Sequence, residues 1–259
     1  MPIVSRPISA CYVGATTVQS IYVGSDLVFG PGAGGGVTTP SFIGVTTGLS
    51  TDNPLPAPFT FSHTQTASNK LLVLGVSWLR NAGVPTGSLT FNSAAPDWTQ
   101  TWRYDGNAGG GQVIAGLWDS PASGSQTVGM TWSSSLTRHA VVFALDFQDL
   151  GDVLGTASDH EGDWGYQTGC SIAIPEENTM LVHMGIGFDT VALSTPWTAT
   201  GMTRRDERET NENNQGAGLA AVATQANPAV GTRVIASEWT HPTNDRAFGV
   251  AICLSGASA

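Results

Sequence analysis

Charge is what this chain has least of: Asp, Glu, Lys and Arg together make up 12% of its 259 residues, about half the usual share. Cations are scarcest, nine arginines and the single lysine Lys70 against 20 acids, and the formal net charge is -10. With no basic stripe to neutralise phosphates, nucleic acid is excluded as a partner. The acid excess serves to keep a sparsely charged surface in solution. Cysteine is also rare. Cys11, Cys170 and Cys253 cannot all pair within one chain and do not stand at metal-ligand spacing, so they read as reduced and buried, not as a disulfide scaffold.

Long apolar runs are missing as well. The early apolar stretch is broken by Ser5, Arg6 and Pro7, which leaves no secretory core, and the best interior run, Ala140 to Leu145, falls far short of the ~18 residues of a membrane span. No membrane insertion is expected. Nor is there a Gly-x-Ser-x-Gly elbow or a His-Glu-x-x-His motif beside the scattered His63, His139, His183 and His241. The acids do not announce the paired carboxylates of a glycosidase. The expectation is therefore a protein that is not an enzyme, with no cofactor.

What is there is glycine, hydroxyl residues and strand formers. A ten-residue period opens the chain, Tyr12-Val13-Gly14-Ala15-Thr16-Thr17-Val18 recurring as Tyr22-Val23-Gly24-Ser25-Asp26-Leu27-Val28. Each unit reads as strand, tight turn, strand, with Gly14 and Gly24 free to take positive φ, so residues 1–30 form a small β-meander. So small a unit cannot bury a core of its own and needs a partner. Residues 31–36, Pro-Gly-Ala-Gly-Gly-Gly, have the composition of a tether.

The body, residues 37–259, contains a longer repeat with a period near 108. Pro121-Ala122-Ser123-Gly124, with Gly124 eight residues before Trp132, matches Pro228-Ala229-Val230-Gly231, with Gly231 eight before Trp239. Asn69 to Val73 matches Asn178 to Val182, Arg138 to Leu145 matches Arg246 to Leu254 with one insertion, and Gln112 to Trp118 falls opposite Leu219 to Gln225. The last pairing makes Leu219 to Ala223 a strand despite its helix-forming alanines. Strands are expected at Phe59 to His63, Leu71 to Trp78, Ser88 to Phe91, Gln126 to Trp132 and Val141 to Phe147. Short strands between Gly, Pro, Ser and Asn turns indicate an all-β, antiparallel β-sandwich of jelly-roll type with duplicated halves, 37–150 and 151–259. The two halves are expected to make one sandwich, with two tandem domains as the alternative.

The Tyr-Val-Gly tandem resembles the module that opens many minor tail and other virion proteins of tailed bacteriophages. The body resembles the concanavalin-A-like or jelly-roll domains of such proteins through Phe59 to Thr64, Asn69 to Trp78, Leu117 to Pro121 and the Trp239 strand. The resemblance implies a structural protein of the virion, assembled in the host bacterial cytoplasm. Its anchor would be Tyr12, Val13, Gly14, Tyr22, Val23, Gly24 and Phe29. It implies tail or capsid proteins as partners and a homo-oligomer, by analogy a trimer. A tail appendage is the first expectation and a capsid decoration protein the second.

A carbohydrate-binding or polysaccharide-degrading module is the reading of another class. An exposed indole stacks on a sugar face, and Trp98, Trp102, Trp164 and Tyr166 stand in polar, turn-rich stretches, so these are the candidates for binding a host-surface glycan. Trp78, Trp118, Trp132 and Trp239 are assigned to the core. Asp159, Glu161 and Asp163 form the densest acidic cluster but lack the glycine and distal Glu of a calcium loop, so no metal is expected there. The run Arg204 to Glu209 alternates in sign and reads as an exposed strand edge.

Overall fold

The computed structural model describes residues 11–13, 16–18, 21–23, 26–29, 37–50, 58–66, 69–79, 87–106, 109–132, 137–160, 167–189, 197–212, 216–238 and 246–258. It divides into two compact units: one of residues up to Thr38 with Ser258 and Ala259, and one of Thr39–Ala257.

In the first unit lie β1 (Cys11–Val13), β2 (Thr16–Val18), β3 (Ile21–Val23) and β4 (Asp26–Phe29). β1 pairs with β2, and β3 with β4, both antiparallel. Each ten-residue unit thus closes on itself as a hairpin, and the described residues form two separate two-stranded sheets, not the continuous meander the sequence suggested. Tyr12 faces Thr17 across the first ladder and Tyr22 faces Leu27 across the second. Gly14, Gly24 and residues 31–36 lie outside the described residues.

The second unit is built of antiparallel strands. Its first half holds β5 (Ser41–Ser50), β6 (Phe59–Gln65), β7 (Lys70–Leu79), β8 (Gly87–Phe91), β9 (Trp98–Gly106), β10 (Gly109–Trp118), β11 (Gly124–Trp132) and β12 (Thr137–Gln148). The second half holds β13 (Leu150–His160), β14 (Gln167–Ile174), β15 (Thr179–Asp189), β16 (Thr198–Ala199), β17 (Thr203–Glu212), β18 (Gly216–Ala226), β19 (Gly231–Glu238) and β20 (Arg246–Gly256). The all-β class read from the sequence is what the chain adopts. The Leu219 segment is indeed a strand, its alanines buried on both faces of β18.

Four sheets result, in the orders β5-β12-β7-β10-β9, β6-β11-β8, β13-β20-β15-β18-β17 and β14-β19-β16. The second pair repeats the first with every strand number raised by eight. In each half a three-stranded sheet packs on one face of a five-stranded sheet, and the other faces of the two large sheets share a single apolar cluster. Leu72, Leu74, Val141, Phe143 and Leu145 enter that cluster from the first half, and Met180, Val182, Met184, Val250 and Ile252 from the second. Each half thus supplies two sheets, not one sheet of a common sandwich, because its central strands are apolar on both faces and need a cover on each.

β7 shows the consequence. Leu72, Leu74 and Val76 point into the shared cluster, while Leu71 and Val73 point under the small sheet. The sequence match of Asn69 to Val73 with Asn178 to Val182 is one residue out by this measure. It sets Leu71 on Met180, which face opposite cores, whereas Leu72 and Met180 face the same one. A one-residue slip exchanges the faces of a strand and leaves its composition unchanged.

The run Arg204 to Glu209 lies on the edge strand β17. A bulge sits between Arg204 and Asp206. The Arg205 guanidinium lies 4.2 Å over the Phe42 ring of β5, and the Thr47 hydroxyl bonds the Asp206 carboxylate. Charge and bulge together blunt an edge that would otherwise pair with other chains.

Candidate functional site

Trp98 and Trp102 stand four apart on β9, which on a strand puts them on one face, and that face is the one covered by the second half. Trp102 is 9% exposed inside the shared cluster, and Trp98 is half-buried against it. Trp102 therefore has no free indole face for a sugar, in contrast to its expected role. Trp164 and Tyr166 lie outside the described residues, as do Glu161 and Asp163. Asp159 ends on β13, where its carboxylate accepts the Gly169 N–H at 2.8 Å, so it holds β14 to β13. Among the described residues no group of three or more His, Cys, Asp or Glu is placed to hold a metal. Trp118 and Trp132 lie in the core under the first small sheet; Trp239 and the side chain of Trp78 are outside the description.

The chemistry that is assembled lies inside the two halves, around two histidines. In the first half His63, on β6, has Nδ1 2.9 Å from the Thr46 hydroxyl and Nε2 3.3 Å from Gln65 Oε1. An amide oxygen only accepts, so Nε2 carries the proton and Nδ1 accepts from Thr46. The Gln65 amide then donates to Asp146 Oδ1 at 3.1 Å and to the Asn69 carbonyl at 3.0 Å. Burial lowers the His63 pKa, opposed in part by the Gln65 bond and the Asp146 charge.

In the second half His183, at the centre of β15, is fully buried. Its Nδ1 is 2.9 Å from the Val250 carbonyl and its Nε2 2.9 Å from Ser237 Oγ. The carbonyl can only accept, so Nδ1 donates and Nε2 accepts from the serine. Ser237 Oγ lies 2.8 Å from Thr168 Oγ1, which completes a chain Thr168 to Ser237 to His183 to Val250. Burial pulls the His183 pKa down to about 4 against the raising effect of the Val250 bond. The Trp197 indole stacks on the imidazole, centroids 5.6 Å apart and planes 22° from parallel.

Two glycines, partners across the β15-β20 ladder, make the room. A side chain at Gly185 would begin 2.5 Å from the Trp197 indole, and one at Gly249 would begin 2.6 Å from Thr168 Oγ1 and 3.0 Å from the His183 ring. Cys170 lies in the same interior, its thiol pushed up to about 12 by burial and by the Asp159 charge. Cys170 and Cys253 are free and buried, as the sequence implied; the side chain of Cys11 is outside the description.

A serine on an imidazole that a third group orients is the arrangement of an activated nucleophile. Here solvent reaches neither partner: Ser237 is 3% exposed, and Trp197 covers the ring. The geometry secures a neutral imidazole in a closed interior, fully bonded, and such a network rigidifies the packing around it.

Sequence reasoning placed His63 in an expected strand, left His183 unassigned and missed the partners of both. The signal was available in β14 and β19. Alternation carries Cys170, Ile172, Ile174 and Ile235 inward, and by the same period Thr168 and Ser237 face inward too. A hydroxyl at an inward position demands a partner. Comparison with known proteins adds no name to this arrangement: no family model, no curated protein and no solved structure matches the chain.

Proposed function

We propose that the protein is a structural component of a tailed-bacteriophage particle, held to it by the N-terminal hairpins, with the double sandwich projecting. The observation that carries this reading is the Tyr-Val-Gly tandem, each copy of which pairs its own strands as a hairpin. Hairpins of three or four residues per strand are too small to stand alone in water, and they are followed by the glycine-rich residues 31–36. The body supports a mechanical role: its charged edge is tied down by Arg205 and Asp206.

A tail appendage is favoured over a capsid decoration because the tandem resembles the openings of minor tail proteins, and self-association as a homo-oligomer belongs to the same proposal. Adhesion to a host glycan has lost Trp102 as a platform and rests on Trp98 and on residues outside the described structure. The test is a chain lacking residues 1–36, assayed for folding by circular dichroism and for copy number in purified particles. A folded body that no longer enters particles is expected; normal incorporation would defeat the anchor. Antibody labelling of residues 37–259 on intact particles then separates tail from head.

A further inference from the structure

The two halves close their small sheets at equivalent places with different chemistry. Alignment of Gly124 with Gly231, and of Leu145 with Leu254, equates Met130 with Ser237, Phe59 with Thr168 and Gly75 with His183 through the strand pairings. Space confirms the equation: a side chain at Gly75 would begin 2.9 Å from the Met130 sulfur, as the His183 imidazole meets the Ser237 hydroxyl. The first half is apolar where the second carries a proton acceptor.

We propose that His183 makes the second half an acid-opened element: protonation stops the ring accepting from Ser237, and the β14-β19-β16 sheet loosens from the large sheet with Trp197 while the first half stays closed. Once Nε2 carries a proton, the Ser237 hydroxyl must turn to accept from it and to donate to Thr168 Oγ1, which reverses the chain and displaces the Thr168 hydrogen. The new charge has no carboxylate on either ring nitrogen, since those positions are held by Val250 and Ser237. The packed elements offer no better. β14 presents Cys170, held as the neutral thiol; β20 presents Ala251 and Cys253, whose thiol burial also keeps neutral; β18 presents Ala223; and β19 presents Ser237. Asp159 acts from beyond Cys170, through Gly169. Trp197 gives a protonated ring some cation–π stabilisation, yet burial still dominates the direction of the shift.

Trp197 is fastened from outside by the Arg204–Glu207 ion pair. The Trp197 N–H donates to Glu207 Oε1 at 3.0 Å, Arg204 Nη1 reaches the Trp197 carbonyl at 3.4 Å, and Arg204 and Glu207 are joined at 2.5 Å. Charge around Trp197 thus sits at its backbone on the surface and leaves the imidazole inside uncompensated. In the first half the nearest titrating group, His63, also has its pKa lowered by burial, but there the Gln65 bond and the Asp146 charge oppose the shift.

The sign follows from linkage. The closed state binds its proton near pH 4 and an opened, solvated imidazole near 6.5. Closure is therefore complete above 6.5 and weakens as pH falls towards 4. The opening equilibrium rises about tenfold per pH unit across that window, two to three orders of magnitude in all.

The test is hydrogen exchange of the full chain between pH 7 and 4, corrected for intrinsic rates, with near-ultraviolet circular dichroism reporting the Trp197 environment. Exchange should rise in β14, β19 and the Trp197 segment while β6, β8 and β11 stay protected, and His183→Gln, which hydrogen-bonds but cannot titrate, should flatten the response. If that variant fails to fold, the NMR titration of His183 in the native protein decides alone. A ring that titrates near 6.5, or one that protonates with no rise in β14 and β19 exchange, overturns the proposal. So does simultaneous loss of protection in both halves.

Discussion

The first half shuts its small sheet over Gly75 with the side chains of Met130 and Leu89, and the second shuts its own over Gly249 with Thr168, Ser237 and the His183 imidazole. Volume is moved between facing positions, a small residue against a large one, with the larger partner on the small sheet in one half and on the large sheet in the other. The polar content is moved as well. His63, Gln65 and Asp146 sit at one end of the first half, where cross-strand equivalence puts Ile172, Ile174 and Ser255 in the second. The comparison teaches that strand order constrains total volume per layer far more tightly than it constrains chemistry.

The strongest test of the pair removes what they share. Phe143→Ala empties part of the common cluster and should cost about 3 to 5 kcal/mol, with both halves unfolding in one urea transition. A transition confined to the first half would show the two to be independent. By the same reasoning residues 37–150 expressed alone, with Leu72, Leu74 and Phe143 uncovered, should aggregate or stay unfolded.

A second substitution acts on one half only. Gly185→Val drives its side chain into the Trp197 indole and should cost about 1 to 3 kcal/mol, read as a lowered Tm with lost near-ultraviolet signal. Gly155, with nothing within 4 Å of an added Cβ, is the control, and Gly155→Ala should fall within about 0.5 kcal/mol of the parent. An equal loss from both would mean that backbone freedom, not the Trp197 contact, sets the cost.

The smallest effect is expected at Lys70, which ties β7 to the start of the second half through the Gly151 carbonyl at 3.0 Å and the carboxylates of Asp119 and Asp152 at 2.7 and 3.5 Å. Both acids are well exposed, so Lys70→Met should lower stability by no more than about 1 kcal/mol, and less in high salt. A larger or salt-independent loss would assign Lys70 a packing role instead.

Much of the fold was legible. Each expected strand of the first half lies within β6, β7, β8, β11 or β12, because turn residues and β-branched runs carry a local signal. Gly124 and Gly231, matched in sequence, both open a strand with positive φ, +86° and +127°, and both begin the middle strand of a small sheet. The candidate site was legible only in part. Trp102 looked available because its neighbours Thr101 and Arg103 are polar, but those neighbours point the other way along β9, and the face Trp102 shares with Trp98 meets the second half.

By itself the sequence determined the class of element and the alternation along it, since backbone sterics and period-two patterning act over a few residues. The tertiary structure decided which face of each strand meets which core. Strands such as β7, apolar on both sides, carry no label for that choice until a second sheet arrives. It also decided that Thr168, His183 and Ser237, up to 69 residues apart in the chain, would meet at hydrogen-bond distance, because cross-strand register is set by long-range pairing and no local signal records it.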